Sequence, residues 1–327
     1  MVKRLIVLLP IAVLAGWYVL KNYEIKGLED VGLKPRDVQK TGADPQQPDL
    51  PPASTDRETI RIATFNASPL DEDKLAKRHV AGHLVKLIRR FDIVALQHVV
   101  APNRSLLVRL VEQLNADGRH YTFATGPRDA ETSTGPQNVL LFDRTTVQID
   151  PSTVCLIDDP ANRLRHRPLV AAFRTRGPDP AQAFTFTLVN VHVSPDHATA
   201  ELDLMDDVFR AVQNDGRNED DIILLGDLGA DDRYLAQWEQ ALHLTWAISR
   251  MPSTTRGTRL ADNLLFDRRA TIEYTGQSDV LDVMRELDLS VQEAAEISDH
   301  LPVWAEFSIY EGGDPGHVAD RTGKVTR

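Results

Sequence analysis

A chain of 327 residues, 42% of them hydrophobic, has material for one large domain or two small ones. Its formal charge of −11 argues against a general affinity for polyanions, because nucleic-acid binders usually carry a net basic footprint. Cys155 is the only cysteine, which excludes an intramolecular disulfide and a thiolate metal cluster.

Lys3 and Arg4 precede an apolar run from Leu5 to Leu20, interrupted by Pro10 and Gly16 and closed by Lys21. Residues 1–21 therefore read as a membrane anchor or signal segment. The run is short for a spanning helix of about 20 residues, and Val13-Leu14-Ala15 resembles a small-residue cleavage site. Trp17, Tyr18, Val19 and Leu20 carry it past that point, and aromatic residues suit a membrane interface, so the reading adopted is an uncleaved anchor. The basic flank would stay cytoplasmic, leaving the globular part on the periplasmic or extracellular side. Residues 22–57 follow as a tether, with Pro35, Pro45, Pro48, Pro51 and Pro52 among polar residues that show no period.

From Thr59 onwards two periods alternate. Ile60–Phe65 alternates as a strand, and Lys74–Phe91 has helical spacing, with Ala76, Val80, Leu84, Leu87, Ile88 and Phe91 on one side. A strand at Asp92–Leu96 and a helix at Arg104–Asn115 come next. Further strands are expected at Tyr121–Ala124, Asn138–Phe142, Val147–Ile157, Leu169–Arg174, Ala183–His192, Asp221–Leu225, Asn263–Phe266, Thr271–Tyr274 and Val303–Ile309. Helices are expected at Thr199–Gln213, Tyr234–Leu242 and Val291–Ala295. Strands outnumber helices too heavily for alternate βα winding of a single sheet. Two sheets packed face to face with helices outside bury the chain better. The acids Asp203, Asp206, Asp207, Asp215, Glu219, Asp220 and Asp221 read as a solvated face. Residues 311–327 lack an apolar period and read as a disordered tail.

Several strands end in groups suited to metal or phosphate chemistry. Asn66 ends the first, His98 follows Gln97 at the end of the second, and Asn190 and His192 end the strand beginning near Phe184. Asp227 follows Leu224-Leu225-Gly226, Asp262 precedes Asn263–Phe266, and Asp299-His300 precedes the last strand. Each has an ordinary explanation by itself: a turn former, a satisfied histidine, the start of a strand. Six such coincidences at strand ends are harder to dismiss.

The order Thr64-Phe65-Asn66, Val94-Ala95-Leu96-Gln97, Asn190-Val191-His192, Gly226-Asp227, Ala261-Asp262-Asn263 and Ser298-Asp299-His300-Leu301-Pro302-Val303 resembles the endonuclease/exonuclease/phosphatase superfamily, particularly its deoxyribonuclease-I-like branch. The match runs from about Glu58 to Tyr310, and its last motif is the most specific. The resemblance implies a four-layer α/β sandwich over residues 58–310: two packed mixed β-sheets flanked by helices. It also implies hydrolysis of phosphodiesters or phosphomonoesters with a divalent cation. In that pattern His192 and His300 would flank the scissile phosphate, Asp262 would hold the tautomer of His300, and Asp227 would orient the attacking water. Asn66 and Asp299 would help hold the metal, with His98 at the remaining ligand position.

Against the family pattern, His98 stands where a metal-binding glutamate follows glutamine, and Gly229 where an asparagine follows the aspartate. Pro136 replaces a glutamate that supports the first histidine, and His166 stands for a phosphate-contacting arginine, with Arg165 and Arg167 beside it. The expected ion is Mg²⁺ or Mn²⁺, with Zn²⁺ possible; because Mg²⁺ favours hard oxygen ligands in octahedral array, His98, His192, His300, Asp227 and Asp299 could suit Mn²⁺ or Zn²⁺ better. Three readings follow: a divergent phosphodiesterase, weak or altered in its metal use; a membrane-tethered pseudoenzyme that binds a phosphorylated ligand or partner without turnover; and a purely structural exported domain. The sequence does not name the substrate.

Overall fold

The computed structural model describes residues 32–33, 51–54, 56–127 and 135–314. Its elements in chain order are β1 (Gly32–Leu33), β2 (Thr59–Leu70), α1 (Glu72–Ala76), α2 (Arg78–Ile88), β3 (Ile93–Val99), α3 (Ser105–Leu114), β4 (Tyr121–Thr125), β5 (Gln137–Asp143), β6 (Val147–Asp158), β7 (Leu169–Thr175) and β8 (Thr185–His192). The second half adds α4 (Ala198–Leu202), α5 (Met205–Gln213), β9 (Ile222–Asp227), α6 (Asp232–Leu242), β10 (Leu244–Trp246), β11 (Asp262–Asp267), β12 (Tyr274–Val280), α7 (Val283–Leu287), α8 (Val291–Ile297) and β13 (Val303–Ser308).

The strands make two mixed sheets. One has seven strands in the order β1-β6-β7-β8-β9-β11-β10, the other six in the order β12-β13-β2-β3-β5-β4. Only β8–β9 and β2–β3 pair in parallel among them. The inner strands are apolar on both faces, because each sheet is covered twice. From β2 and β3, Ile60, Ile62, Ile93 and Ala95 face the opposite sheet, where they meet Leu188, Ile223, Leu225, Leu264 and Phe266. Their neighbours Ala63, Phe65, Val94 and Leu96 turn outward onto α1, α2 and α3. On the far side Val189, Val191, Ile222 and Leu224 pack against Val208, Phe209 and Val212 of α5 and Leu235 and Trp238 of α6. The result is the four-layer α/β sandwich expected from the sequence.

Four expectations change, the first being the helix over Thr199–Gln213, which divides into α4 and α5. The helix expected over Lys74–Phe91 breaks at Lys77, whose ψ of 99° is extended. Asp71 caps α1 at one end, and Lys74 Nζ donates to the carbonyls of Ala67 and Ser68 at 2.7 and 3.0 Å and of Ile297 at 2.7 Å. The strand expected at Thr271–Tyr274 lies further on, at β12, a sheet edge whose side chains are mostly partly or fully exposed and so carry no alternating apolar signal. Asp221, read as part of a solvated face, is buried to 2% exposure at the start of β9.

The anchor at residues 1–21 and the tail beyond residue 314 lie outside the described residues, as does most of the tether. Of that tether, Gly32 and Leu33 pair with Asp158 and Ile157 at the edge of the larger sheet. Among the described residues no helix is long and apolar enough to cross a membrane.

Candidate active site

Strand register alone gathers half of the site. In the larger sheet His192 is the cross-strand partner of Asp227, and Asp227 is the partner of Asp262. Side chains alternate along a strand, so these three share a face with Leu188, Leu225 and Leu264 and point between the sheets. From the other sheet Asn66, two residues beyond Thr64 and four beyond Ile62, points into the same gap. Its Nδ2 donates to Asp227 Oδ2 at 2.7 Å.

The gap changes character in layers. Its apolar floor gives way to a buried polar layer in which Gln97 Nε2 donates to Asn190 Oδ1 at 2.7 Å and Thr64 Oγ1 at 3.0 Å. Asn190 Nδ2 donates in turn to the Leu96 and Val139 carbonyls of the opposite sheet, each at 3.1 Å. These bonds across the gap tie the two sheets in one relative position, although Gln97 Oε1 is buried without a partner. Above it stand Asn66, His192, Asp227, Asp262 and His300, all at most 6% exposed.

Gly226 is required for this register. A Cβ there would lie 1.9 Å from the Val191 carbonyl oxygen on the neighbouring strand. Gly226→Ala should therefore displace β9 at Asp227 and lower stability by roughly 2–4 kcal/mol, read as a fall in the denaturant midpoint. An unchanged midpoint would mean that β8 and β9 can separate freely here.

His300 is held from several sides. Its Nδ1 lies 2.8 Å from Asp262 Oδ2, which sets the tautomer with Nδ1 as donor and leaves Nε2 facing Asp227 Oδ2 at 3.7 Å. Ser253, which the sequence reading missed, donates to the same Asp262 oxygen at 2.8 Å and accepts from the Ala261 and Asp262 backbone N–H groups. No motif marks Ser253; its loop is brought there by the bridge between Thr254 and His300 and by the Leu301 N–H, which donates to the Ser253 carbonyl at 2.7 Å. Burial works against charge on His300, but the Asp262, Asp227 and Asp299 carboxylates outweigh it and raise the imidazole to about 9. In metal-free protein this raised folded-state pKa contributes stability that is complete below the unfolded value near 6.5 and is lost as pH rises through about 9. His300→Gln should abolish that alkaline limb, of order 3 kcal/mol at most, in denaturant titrations run from pH 6 to 10 in chelator.

Asp227 behaves oppositely. Burial and the Asp262 charge push its carboxyl up to about 6, against the stabilising influence of His300, Asn66 and the Gly229 N–H. His192 Nε2 is 3.9 Å from Asp227 Oδ2. Burial, followed by the imidazoles of His166, His98 and His300, lowers His192 to about 3, so the free protein carries it neutral. His166 stacks flat on His192, with ring centroids 4.4 Å apart and planes 5° from parallel. At the arginine position His166 is thus placed against the site, and Arg167 Nε donates to the Ile157 carbonyl.

His98 reaches the site by an unusual backbone. Following Gln97, it belongs by alternation on the helix-facing side, but its φ of +57° turns the ring back to within 5.4 Å of His192. A non-glycine residue in the left-handed region costs about 1 kcal/mol or more. The β3 register slips on both sides of this residue. Burial lowers His98, with Asp299 pulling the other way. Asp299 itself stands at the exposed rim, held through its carbonyl by the Thr255 N–H at 2.9 Å. Lys74, which ties the end of β2 to the last turn of α8 just before it, is lowered to about 8 by burial while Asp71 and Asp299 oppose.

The donors that could hold a divalent ion fall into two sets. Asp227, Asp262 and His300 offer ligand atoms within 4.8 Å of one another. Asn66, His98 and Asp299, expected as ligands, line the other side of the gap; the Asn66 oxygen accepts the Ser68 N–H at 3.1 Å. Together they offer one amide oxygen, one imidazole and one carboxylate. Two of these three are the hard oxygens that a divalent ion such as Mg²⁺ takes, while the imidazole is a donor better matched to an ion that accepts nitrogen.

The model of the Endonuclease/Exonuclease/phosphatase family matches residues 63–300. Deoxyribonuclease-1-like 1 of Cricetulus griseus is 31% identical over 269 residues, covering 77% of this chain and 84% of the relative. Deoxyribonuclease-1 of Bos taurus is 27% identical over 266 residues, covering 75% and 91%. Among solved structures, the human Nocturnin catalytic domain with bound sulfate aligns with a TM-score of 0.51 at 15% identity, over 78% of this chain and 94% of that one. A Bacteroides thetaiotaomicron mannosyl-6-phosphatase aligns with a TM-score of 0.50 at 14% identity, over 75% and 98%. At such identities the structural likeness speaks for the fold alone.

Proposed function

The chain belongs to the Endonuclease/Exonuclease/phosphatase family, and from that premise we propose that it hydrolyses a phosphate ester, in the first instance a phosphodiester, with Mn²⁺ or Zn²⁺ in preference to Mg²⁺. The observation that carries the proposal is the row His192, Asp227 and Asp262 closed by the His300–Asp262 contact of 2.8 Å. A divalent ion in such a site supplies charge neutralisation at the phosphoryl oxygens. The rest of the chemistry belongs to the chain. Asp227, ionised above about pH 6, orients the attacking water and takes its proton as oxygen bonds to phosphorus. His300, held as imidazolium by Asp262, gives the proton of Nε2 to the departing oxygen as its bond to phosphorus breaks. His192 donates a hydrogen bond to a phosphoryl oxygen, with His166 stacked behind it.

The relatives named deoxyribonucleases point to a polynucleotide, whereas the charge of −11 points to a smaller ester. A second reading, a binding protein without turnover, draws on the imidazole at position 98 and on the lowered His192. On either reading, residues 1–21 would tether the domain to a membrane with the site on the exported side.

Hydrolysis of bis(p-nitrophenyl) phosphate, screened with Mg²⁺, Mn²⁺ and Zn²⁺ and paired with cleavage of plasmid DNA, tests the proposal. Turnover with Mn²⁺ or Zn²⁺ should fall about 10²-fold or more in His192→Ala. Hydrolysis that His192→Ala leaves unchanged, or none with any ion, sinks the enzymatic reading; in the second case, phosphate binding that His192→Ala weakens would support the non-catalytic one.

A further inference from the structure

A second group of acids lies at the other end of the same strands. Asp221 begins the run into β9, six residues and so roughly 20 Å from Asp227. Glu273 precedes β12, and Glu311 follows β13. Their ligand oxygens lie within 4.8 Å of one another, and a second overlapping group joins Glu219 and Asp220 to Asp221. Asp221 and Glu273 are each 2% exposed. The Asp221 Oδ1 and Glu273 Oε2 atoms are buried with no hydrogen-bond partner.

This is an unusual place to leave charge. An unpaired buried carboxylate is among the costliest groups a fold can hold. After burial itself, the charges that act most strongly on Asp221, Glu273 and Glu311 are those of other acids. All three are raised above the ordinary carboxylate range, Glu311 to about 7. The surrounding backbone is ordered around them: Gly312 N–H donates to Glu273 Oε1 at 2.7 Å and Thr185 N–H to Glu311 Oε2 at 3.0 Å. The second oxygen of Glu273 is thereby left pointing into the cluster. A cleft of about 420 Å³ includes in its lining Glu219, of the overlapping group, and Thr185, whose N–H meets Glu311.

We propose that Asp221, Glu273 and Glu311 bind a divalent cation of the calcium class, which fastens the segment after β13 to the starts of β9 and β12. Ca²⁺ takes six to eight oxygens at about 2.3–2.6 Å, so two of its ligands lie at most about 5 Å apart, as these do. It accepts irregular, all-oxygen sets mixing carboxylates with water, whereas Mg²⁺ demands octahedral order. The site is separate from the active site in residues and in chemistry: carboxylates alone here, carboxylates mixed with imidazoles there.

Thermal unfolding of the full chain in chelator and in millimolar Ca²⁺ tests this without reference to turnover. Ca²⁺ at about 100 times its dissociation constant should raise the Tm of the wild type by roughly 5–10 °C. His192→Ala, altered at the active site, should show the same rise, and Asp221→Asn/Glu273→Gln should show none. Should that double variant not fold, Glu311→Gln, at the partly exposed edge of the cluster, should weaken Ca²⁺ binding about tenfold by calorimetry. No rise in the wild type, a rise that persists in the double variant, or Ca²⁺ binding unaffected by Glu311→Gln would overturn the proposal. A rise lost in His192→Ala would do so too, because it assigns the ion to the active site.

Discussion

Replacing His300 by alanine should lower phosphodiester hydrolysis by about 10²–10³-fold, equivalent to roughly 3–4 kcal/mol of transition-state stabilisation. The size follows from what the imidazole holds together. His300 alone contacts Asp262 through Nδ1 while its Nε2 faces Asp227, so it joins the proton donor to the residue that orients water. The effect should appear in kcat more than in KM, because the proton is needed only as the leaving oxygen departs. Asp262→Asn should cost less by itself, and adding it to His300→Ala should cost almost nothing further, since the carboxylate acts only through the ring. Additive losses in that cycle would separate the two residues and remove the acid from its proposed place. Stability provides the control. Without His300, Asp262 keeps the Ser253 hydroxyl but loses its charged partner, with one oxygen already unpartnered. His300→Ala should thus also lower the Tm, and the kinetic comparison belongs well below it.

Much of this arrangement could be read from the sequence, for a reason that lies in strand geometry. Where a strand with both faces buried runs out of apolar residues, the next residue on the inner face stands at the mouth of the core. His192, Asp227 and Asp262 are such residues, and parallel and antiparallel pairing bring their strand ends level. Asn66 and His300 follow by the same logic from the facing sheet. What stayed hidden depends on backbone conformation or on distant loops. His98 was expected among the ligands from the order of motifs, but the left-handed φ that turns it into the site is announced by no periodicity. Ser253 arrives by a loop bridge to residue 300, and the flat stacking of His166 on His192 joins segments with no shared pattern. Asp221 misled for the opposite reason: it ends a run of exposed and half-buried acids, yet it is the residue at which the chain enters the sheet.

The same geometry makes a gain of function more informative than another loss. His98→Glu combined with Gly229→Asn should raise Mg²⁺-supported hydrolysis at least tenfold and reverse the order of preference between Mg²⁺ and Mn²⁺. Position 229 can accept the change: its φ of +59° lies in the left-handed region, asparagine tolerates that region better than most side chains, and no atom lies within 4 Å of the added Cβ. Position 98 is left-handed too, but histidine already bears that cost, so glutamate adds little strain. The carboxylate would do two things. It supplies a second hard, charged oxygen ligand beside Asp299, which Mg²⁺ needs and imidazole does not provide. It also removes one of the imidazoles that, after burial, hold His192 near 3 and replaces it with an anion, so His192 should titrate closer to neutral pH. Calorimetry with Mg²⁺ and an NMR titration of the His192 ring would read these separately. Tighter Mg²⁺ binding with no gain in rate would place the remaining defect beyond the metal site, and no tightening would show that residue 98 does not face the ion.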